Sequence, residues 1–171
     1  SWGTFIQRFD TEAASGKKVR RVCVCLLSSR VDELDFEVVF HKEVAGRPVD
    51  EPYARFSGRA VGLPNSVKEA GRFYPVDVPN VEMPEGASYV GIRWDPKRGN
   101  RAFLCSSKGV PGEVENAVPG FQRDNLSKTW DDVLNTKDRT FFGHEAAMIR
   151  LLTVAEDEGE KAEAKAHGGE G

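Results

Sequence analysis

Residues 34–41 alternate between two kinds of side chain, and this alternation restricts the fold more than any other feature of the sequence. The apolar set is Leu34, Phe36, Val38 and Phe40. The intervening set is Asp35, Glu37, Val39 and His41. Because successive side chains of a strand point to opposite faces, the pattern predicts a half-buried antiparallel strand with the apolar set in the core. His41 is expected on the polar side of this strand.

Further strand-sized segments recur along the chain and are separated by turns rich in Gly, Pro and Asn. These predicted strands are 19–28, 53–61, 72–78, 88–94, 101–105 and 146–154. Pro75 assigns 72–78 to a sheet edge or a bulge, because proline cannot donate a ladder hydrogen bond. The last segment has a helix-favouring composition, but a strand is preferred because the other strands need a closing partner.

The strand pattern predicts an all-β chain folded as an antiparallel β-sandwich, jelly-roll-like in type. The expected core consists of apolar residues from four of the strands: Val22, Val24, Phe36, Val38, Phe40, Val90, Ile92 and Ile149. Residues 106–128 lack periodicity and are expected to form a long surface loop. Residues 129–134 could hold one helical turn capped by Thr129.

We expect three parts: an N-terminal arm (1–18), a β-sandwich domain (19–155) and a flexible acidic tail (156–171). The arm contains four large apolar side chains, and their burial is favourable, so we expect the arm to pack either on its own sandwich or on a partner. These residues are Trp2, Phe5, Ile6 and Phe9. The tail has six acidic residues, two lysines and almost no apolar residues, so we expect it to be disordered when unbound.

The charge distribution limits the classes of partner. The tail carries a charge of −4 and the remaining 155 residues about +1, without a stripe of basic residues. This argues against nucleic acid as a partner. The longest apolar run, residues 22–27, is far shorter than the roughly 18–20 residues that span a bilayer. The chain begins at Ser1, as a chain does after a leader is cleaved, which suggests an extracytoplasmic protein, periplasmic or secreted.

The chain has three cysteines. Cys23 and Cys25 are two positions apart on a predicted strand and therefore face the same side. Either could reach Cys105 across the sandwich, and buried thiols are an equally good alternative. The spacing is a poor match to a zinc site, so we predict no metal and no cofactor.

Residue patterns typical of catalysis are absent from the sequence, so we predict that the chain is not an enzyme. The histidines have no metal-ligand spacing, and no nucleophile motif is present. Oxygen-bearing residues near the long loop could in principle bind calcium: Asp124, Asn125, Asp131 and Asp132. Aromatic residues could in principle stack on sugar rings: Trp2, Tyr53, Tyr74 and Trp130. Packing is the commoner use of both sets.

The segment GRFYPVDVPNVEMPEGASYVGIRWDP, together with the later AAMIRLL, resembles extracytoplasmic bacterial β-sandwich modules of the pre-peptidase C-terminal type. The matching positions are Pro84, Gly86, Tyr89, Gly91, Arg93, Trp94, Met148, Ile149 and Arg150. The resemblance implies a secreted or periplasmic accessory module and no catalytic residue. Gly91 would allow close approach of another strand, and the Trp94-Asp95 pair is interpreted as the end of a strand followed by a turn.

These features favour a non-catalytic interaction module, or an accessory or structural subunit of a larger extracytoplasmic protein assembly. The expected partners are other protein subunits, with peripheral association with a membrane complex as one arrangement. The residues expected to contact a partner are Trp2, Phe5, Phe9 and Trp130. The alternative is a carbohydrate- or calcium-binding β-sandwich module, and a small hydrolase on a jelly roll ranks third.

Overall fold

The computed structural model describes residues 3–9, 16–28, 31–65, 70–94, 102–104, 120–123, 129–132 and 149–154. Every regular element in these ranges is a strand: β1 (Thr4–Phe9), β2 (Lys18–Ser28), β3 (Glu33–Val44), β4 (Arg47–Pro48), β5 (Ala54–Val61), β6 (Arg72–Glu82), β7 (Ser88–Arg93), β8 (Ala102–Leu104), β9 (Gly120–Arg123), β10 (Asp131–Asp132) and β11 (Ile149–Val154). Among the same residues, no helix is long and apolar enough to cross a membrane.

The larger sheet has seven strands in the order β10-β9-β1-β7-β3, and both β4 and β5 pair with β3. All of these strand pairs are antiparallel. The register places Ile6, Gly91 and Val39 side by side across β1, β7 and β3. The tight turn between β3 and β4 is made by Ala45 and Gly46, which both have positive φ, as a two-residue hairpin of this kind requires.

The smaller sheet is built around β2. One edge of β2 pairs with β6, and the other pairs with β11 and then with β8, all antiparallel. In the described part of the chain β6 pairs only with β2, which agrees with the edge or bulge position expected from Pro75. β6 continues past Pro79 to Glu82, beyond the end expected from the sequence, because a register shift opposite Val19–Arg21 accommodates the extra residues.

The inner faces of the two sheets form one core, so the predicted antiparallel β-sandwich is confirmed. All eight residues predicted for the core are buried in it. The alternation in β3 is confirmed on the inner face, where Leu34, Phe36, Val38 and Phe40 are buried. Tyr74 links the two sheets, because its hydroxyl donates to the carbonyls of Val61 (3.1 Å) and Gly62 (3.2 Å) at the end of β5.

Residues 4–9 of the N-terminal arm form an internal strand of the larger sheet. β1 pairs with β7 on one side and with β9 on the other. Of the two placements considered for the arm, these residues therefore adopt the one on their own sandwich. Gly91 permits the close approach of β1, because an added Cβ would lie 2.5 Å from the Ile6 Cα.

Two local expectations in the C-terminal half are wrong. Residues 120–123, within the expected loop, form β9, because β1 offers them a backbone edge. Residues 131–132, within the expected helical turn, form β10 and pair with β9. The strand expected near the C-terminus is confirmed at Ile149–Val154. The expected tail, 156–171, lies outside the described residues.

Candidate functional site

A second buried cluster lies on the outer face of the seven-stranded sheet. Its apolar members are Ile6, Val39, Tyr89 and Trp130. His41 is buried beside them, with only 1% of its surface exposed. Ile6 and Val39 flank Gly91 in the register, and the backbone of β1 occupies the space that a side chain at Gly91 would take. We refer to these five residues, Ile6, Val39, His41, Tyr89 and Trp130, as the Trp130 cluster.

Trp130 is held by groups from three directions. The Arg123 guanidinium lies 4.0 Å from the centroid of the indole ring, a cation–π contact. The Arg47 guanidinium donates to the Trp130 carbonyl at 2.6 Å. The His41 ring packs against the indole at 5.2 Å between centroids and at 86°. Within the described residues no group accepts a hydrogen bond from the buried indole nitrogen, Nε1.

His41 is a buried polar residue whose protonation state is set by its surroundings. Its Nδ1 lies 2.8 Å from the Val49 carbonyl, so Nδ1 carries the proton and donates. The pKa of His41 is lowered from 6.5 to about 4, mainly by burial, and the nearby Arg123 cation acts in the same direction. The Val49 carbonyl and the carboxylates of Glu51 and Asp50 oppose this shift. The imidazole is therefore neutral at pH 7.

A second polar group borders the cluster and ties β1, β3 and β7 together. Arg8 donates to Glu43 through Nε at 2.9 Å, and the Tyr89 hydroxyl donates to the same carboxylate oxygen at 2.8 Å. The hydrogen bond from Arg8 is the main cause of the lowered pKa of Glu43. The Glu43 carboxylate is thus ionised and fixed in place by Arg8 and Tyr89.

The polar side chains of this region have a structural role. The imidazole of His41 is bonded to a backbone carbonyl, and Glu43 is bonded to a guanidinium and a phenol. These partners hold side chains in position, and they link β1, β3, β4, β7 and β9 around one tryptophan. Sequence reasoning did not identify His41, Arg47 or Arg123 as members of such a cluster. The available signal was Val39, an apolar residue on the face expected to be polar.

The residues predicted to contact a partner are not brought together. Phe5 is buried in the main core, and Phe9 packs against that core from a half-buried position. Trp130 is 4% exposed and lies on the opposite face of the same sheet. Trp2 lies outside the described residues. A partner-binding role for these four residues stays a prediction.

The residues considered for sugar stacking are also largely internal. Tyr74 is buried and its hydroxyl is bonded to two carbonyls. Tyr53 is half-buried, and burial raises the pKa of its phenol to about 12.

For the calcium reading, Asp124 and Asn125 lie outside the described residues, while Asp131 and Asp132 are described only as strand backbone. Among the described residues, no group of three or more His, Cys, Asp or Glu side chains could hold a metal ion.

The outer face of the smaller sheet presents a mixed apolar and basic surface. Phe73 and Leu152 are 39% and 40% exposed, and the Arg150 guanidinium lies 6.0 Å from the centroid of the Phe73 ring. We name Phe73, Arg150 and Leu152 the outer patch. Cys23 lies opposite Arg150 and Cys25 lies opposite Phe73, so both are on this side of β2; neither belongs to the main core cluster, although Cys25 is 3% exposed. Cys105 lies outside the described residues.

Comparison with known proteins identifies the fold. No protein-family model matches the chain, and no curated protein does. The structure is similar to that of the clostridial cysteine protease Cwp84 after propeptide cleavage, with a TM-score of 0.63 and 14% identity over 91% of this chain. It is also similar to the cysteine protease and lectin-like domains of Cwp84, a surface layer associated protein of Clostridium difficile, with a TM-score of 0.62, 14% identity and the same 91% coverage. The matches span 36% and 32% of those chains, about a third of their length.

Proposed function

We propose that this chain is a non-catalytic interaction module of a larger extracytoplasmic protein assembly. The observation that carries the proposal is the fold similarity over 91% of the chain to about a third of a longer surface layer associated protein. One of those structures is named for protease and lectin-like domains. Because the described part of this chain is built only of strands, we assign its likeness to the lectin-like part.

The arrangement of reactive groups supports a non-catalytic role. In the Trp130 cluster and its border, His41 and Glu43 have structural partners, and the burial of His41 removes it from contact with a substrate. The cluster stabilises the sheet, so we look for the interaction surface elsewhere.

The outer patch is the surface that we assign to the protein partner. It places an aromatic side chain beside an arginine, and both residue types are enriched at protein interfaces; Leu152 adds exposed apolar surface next to them. Two further large apolar residues, Val44 and Val61, are exposed on strands of the other sheet, at 65% and 53%. They provide a matched control, because they have similar chemistry and greater exposure but belong to a different surface.

The test is chemical cross-linking of the purified chain with the cell-surface protein fraction of its source. We expect a defined cross-linked species with wild type. It should be lost with the double variant Phe73→Ser/Leu152→Ser and retained with Val44→Ser/Val61→Ser. Circular dichroism melting of each variant checks that the fold is intact. Equal cross-linking by both double variants, or none by wild type, would contradict the proposal.

A carbohydrate-binding module is the second candidate, favoured by the lectin-like domains named for the similar structure. Such a module would bind polysaccharide at the cell surface, so it shares the extracytoplasmic location of the first candidate. Isothermal titration with purified cell-wall polysaccharide distinguishes the two candidates. Saturable binding that both double variants retain would support the carbohydrate candidate and count against the outer patch.

A further inference from the structure

The contacts that hold Trp130 on the sheet converge on a buried histidine. The indole ring packs against His41 on β3 and stacks with Arg123 on β9. Arg123 also donates to the Asp50 carbonyl at 2.7 Å, next to the segment that bonds His41. Arg47 reaches the Trp130 carbonyl from β4. One guanidinium cation, that of Arg123, therefore already lies against the ring that packs on His41, and a second, that of Arg47, is bonded to the backbone of the same residue.

We infer that His41 is an acid-sensitive latch, and that its protonation releases Trp130 from the outer face of the seven-stranded sheet and detaches β9 and β10 from the edge of β1. A proton on this buried imidazole adds a cation to a site that excludes water and already contains Arg123. Release lets water reach His41 and separates the charges. It also exposes the apolar surface of Ile6, Val39 and Tyr89, which the closed state keeps buried.

The charged groups that act on His41 are Arg123 on β9 and Asp50 and Glu51 after β4. Arg47 on β4 contacts the Trp130 carbonyl, and Tyr89 on β7 lies opposite His41 in the register and donates to Glu43, which Arg8 on β1 also engages. The Glu43 carboxylate, the acidic group nearest to Tyr89, is engaged by Arg8. Asp50 and Glu51 favour the imidazolium, but burial and Arg123 outweigh them.

The direction of the pH effect follows from the lowered pKa. In the closed state His41 binds a proton only near pH 4, whereas in an open, hydrated state it binds one near the ordinary value of 6.5. The closed state is therefore fully favoured above pH 6.5 and loses this advantage as the pH falls towards 4. This difference between the pKa values of His41 in the closed and open states raises the equilibrium constant for opening by about 300-fold in the acid limit. Between pH 7.5 and 4.5 the increase is about 70-fold.

The test is hydrogen exchange detected by mass spectrometry at pH 7.5, 5.5 and 4.5, corrected for the intrinsic pH dependence of exchange. In wild type, peptides covering 120–123 and 129–132 should lose protection by up to about 70-fold on acidification. Peptides covering 72–82, on the other sheet, should keep their protection. His41→Asn retains a donor for the Val49 carbonyl but cannot titrate, so its profile should be flat. His167→Asn is the control and should behave as wild type.

Two results would overturn the latch. One is an identical acid response in wild type and His41→Asn; the other is a uniform loss of protection that includes 72–82. If His41→Asn does not fold, NMR titration of the wild-type imidazole decides the question. A His41 that titrates near 6.5 while 120–123 and 129–132 keep their protection would refute the inference, and titration near 4 that coincides with opening would support it.

Discussion

Gly91→Ala is the substitution that most sharply tests the packing of β1 against the rest of the sheet. An added Cβ would lie 2.5 Å from the Ile6 Cα, 2.7 Å from the Phe5 carbonyl carbon and closer still to the Phe5 oxygen. Real Cβ atoms essentially never approach other heavy atoms within 3.0 Å. Because all three atoms are backbone, no side-chain rotation relieves the clash, and β1 has to move away from β7.

The expected loss follows from what β1 buries. Phe5 and Ile6 are 5% and 0% exposed, and burial of each contributes roughly 1.5–3 kcal/mol, so detachment of β1 costs about 3–6 kcal/mol. Gly58→Ala would meet only side chains, those of Phe36 and Val76, and should cost about 1–3 kcal/mol by overpacking. Gly46→Ala meets nothing within 4 Å, but its φ of 77° should cost about 1–2 kcal/mol.

The assay is urea unfolding of the three variants, followed by circular dichroism and analysed for the free energy of unfolding. We expect the largest loss for Gly91→Ala, and hydrogen exchange of that variant should show lost protection at residues 4–9. A loss for Gly91→Ala below that of Gly46→Ala would refute the reasoning, because the close approach of β1 would then not depend on the missing side chain.

Three further results are expected from the same unfolding assay. Phe36→Ala should lose about 3–5 kcal/mol through lost burial and a cavity, and a loss below 1 kcal/mol would contradict its core position. Tyr74→Phe should lose about 0.5–1.5 kcal/mol, because the hydroxyl that bonds the end of β5 is removed; an unchanged midpoint would count against that link. Between pH 6.5 and 4 wild type should lose up to about 3 kcal/mol that His41→Asn does not lose, since the folded-state pKa of His41 is lowered to about 4; parallel pH curves would contradict this.

Much of the sandwich could be predicted from the sequence because its strands bury one face. In β3, alternation separates the two faces, and each predicted core residue on that strand is buried. The composition of residues 146–154 is ambiguous, and the strand preferred there, because the other strands need a closing partner, is confirmed at Ile149–Val154. Local pattern was sufficient where one sheet face meets the core and the other meets water.

The sequence pattern was insufficient where burial depends on distant parts of the chain. β1 is buried on both faces between β7 and β9, and it places a polar residue, Gln7, towards the interior, so its alternation is obscured. β10 contains two residues and exists only because β9 offers an edge. His41 is buried because Trp130, far along the chain, covers it. The alternation of apolar and polar residues within one strand does not reveal contacts with distant parts of the chain.

Hydrogen exchange of the chain alone and in the presence of the cell-surface protein fraction tests the proposed function most directly. An interaction module that uses the outer patch should gain protection in residues 72–82 and 149–154, which carry Phe73, Arg150 and Leu152. Residues 33–44 of the other sheet should be unchanged. No change with the protein fraction, together with new protection on addition of purified cell-wall polysaccharide, would contradict the account and favour the carbohydrate-binding module.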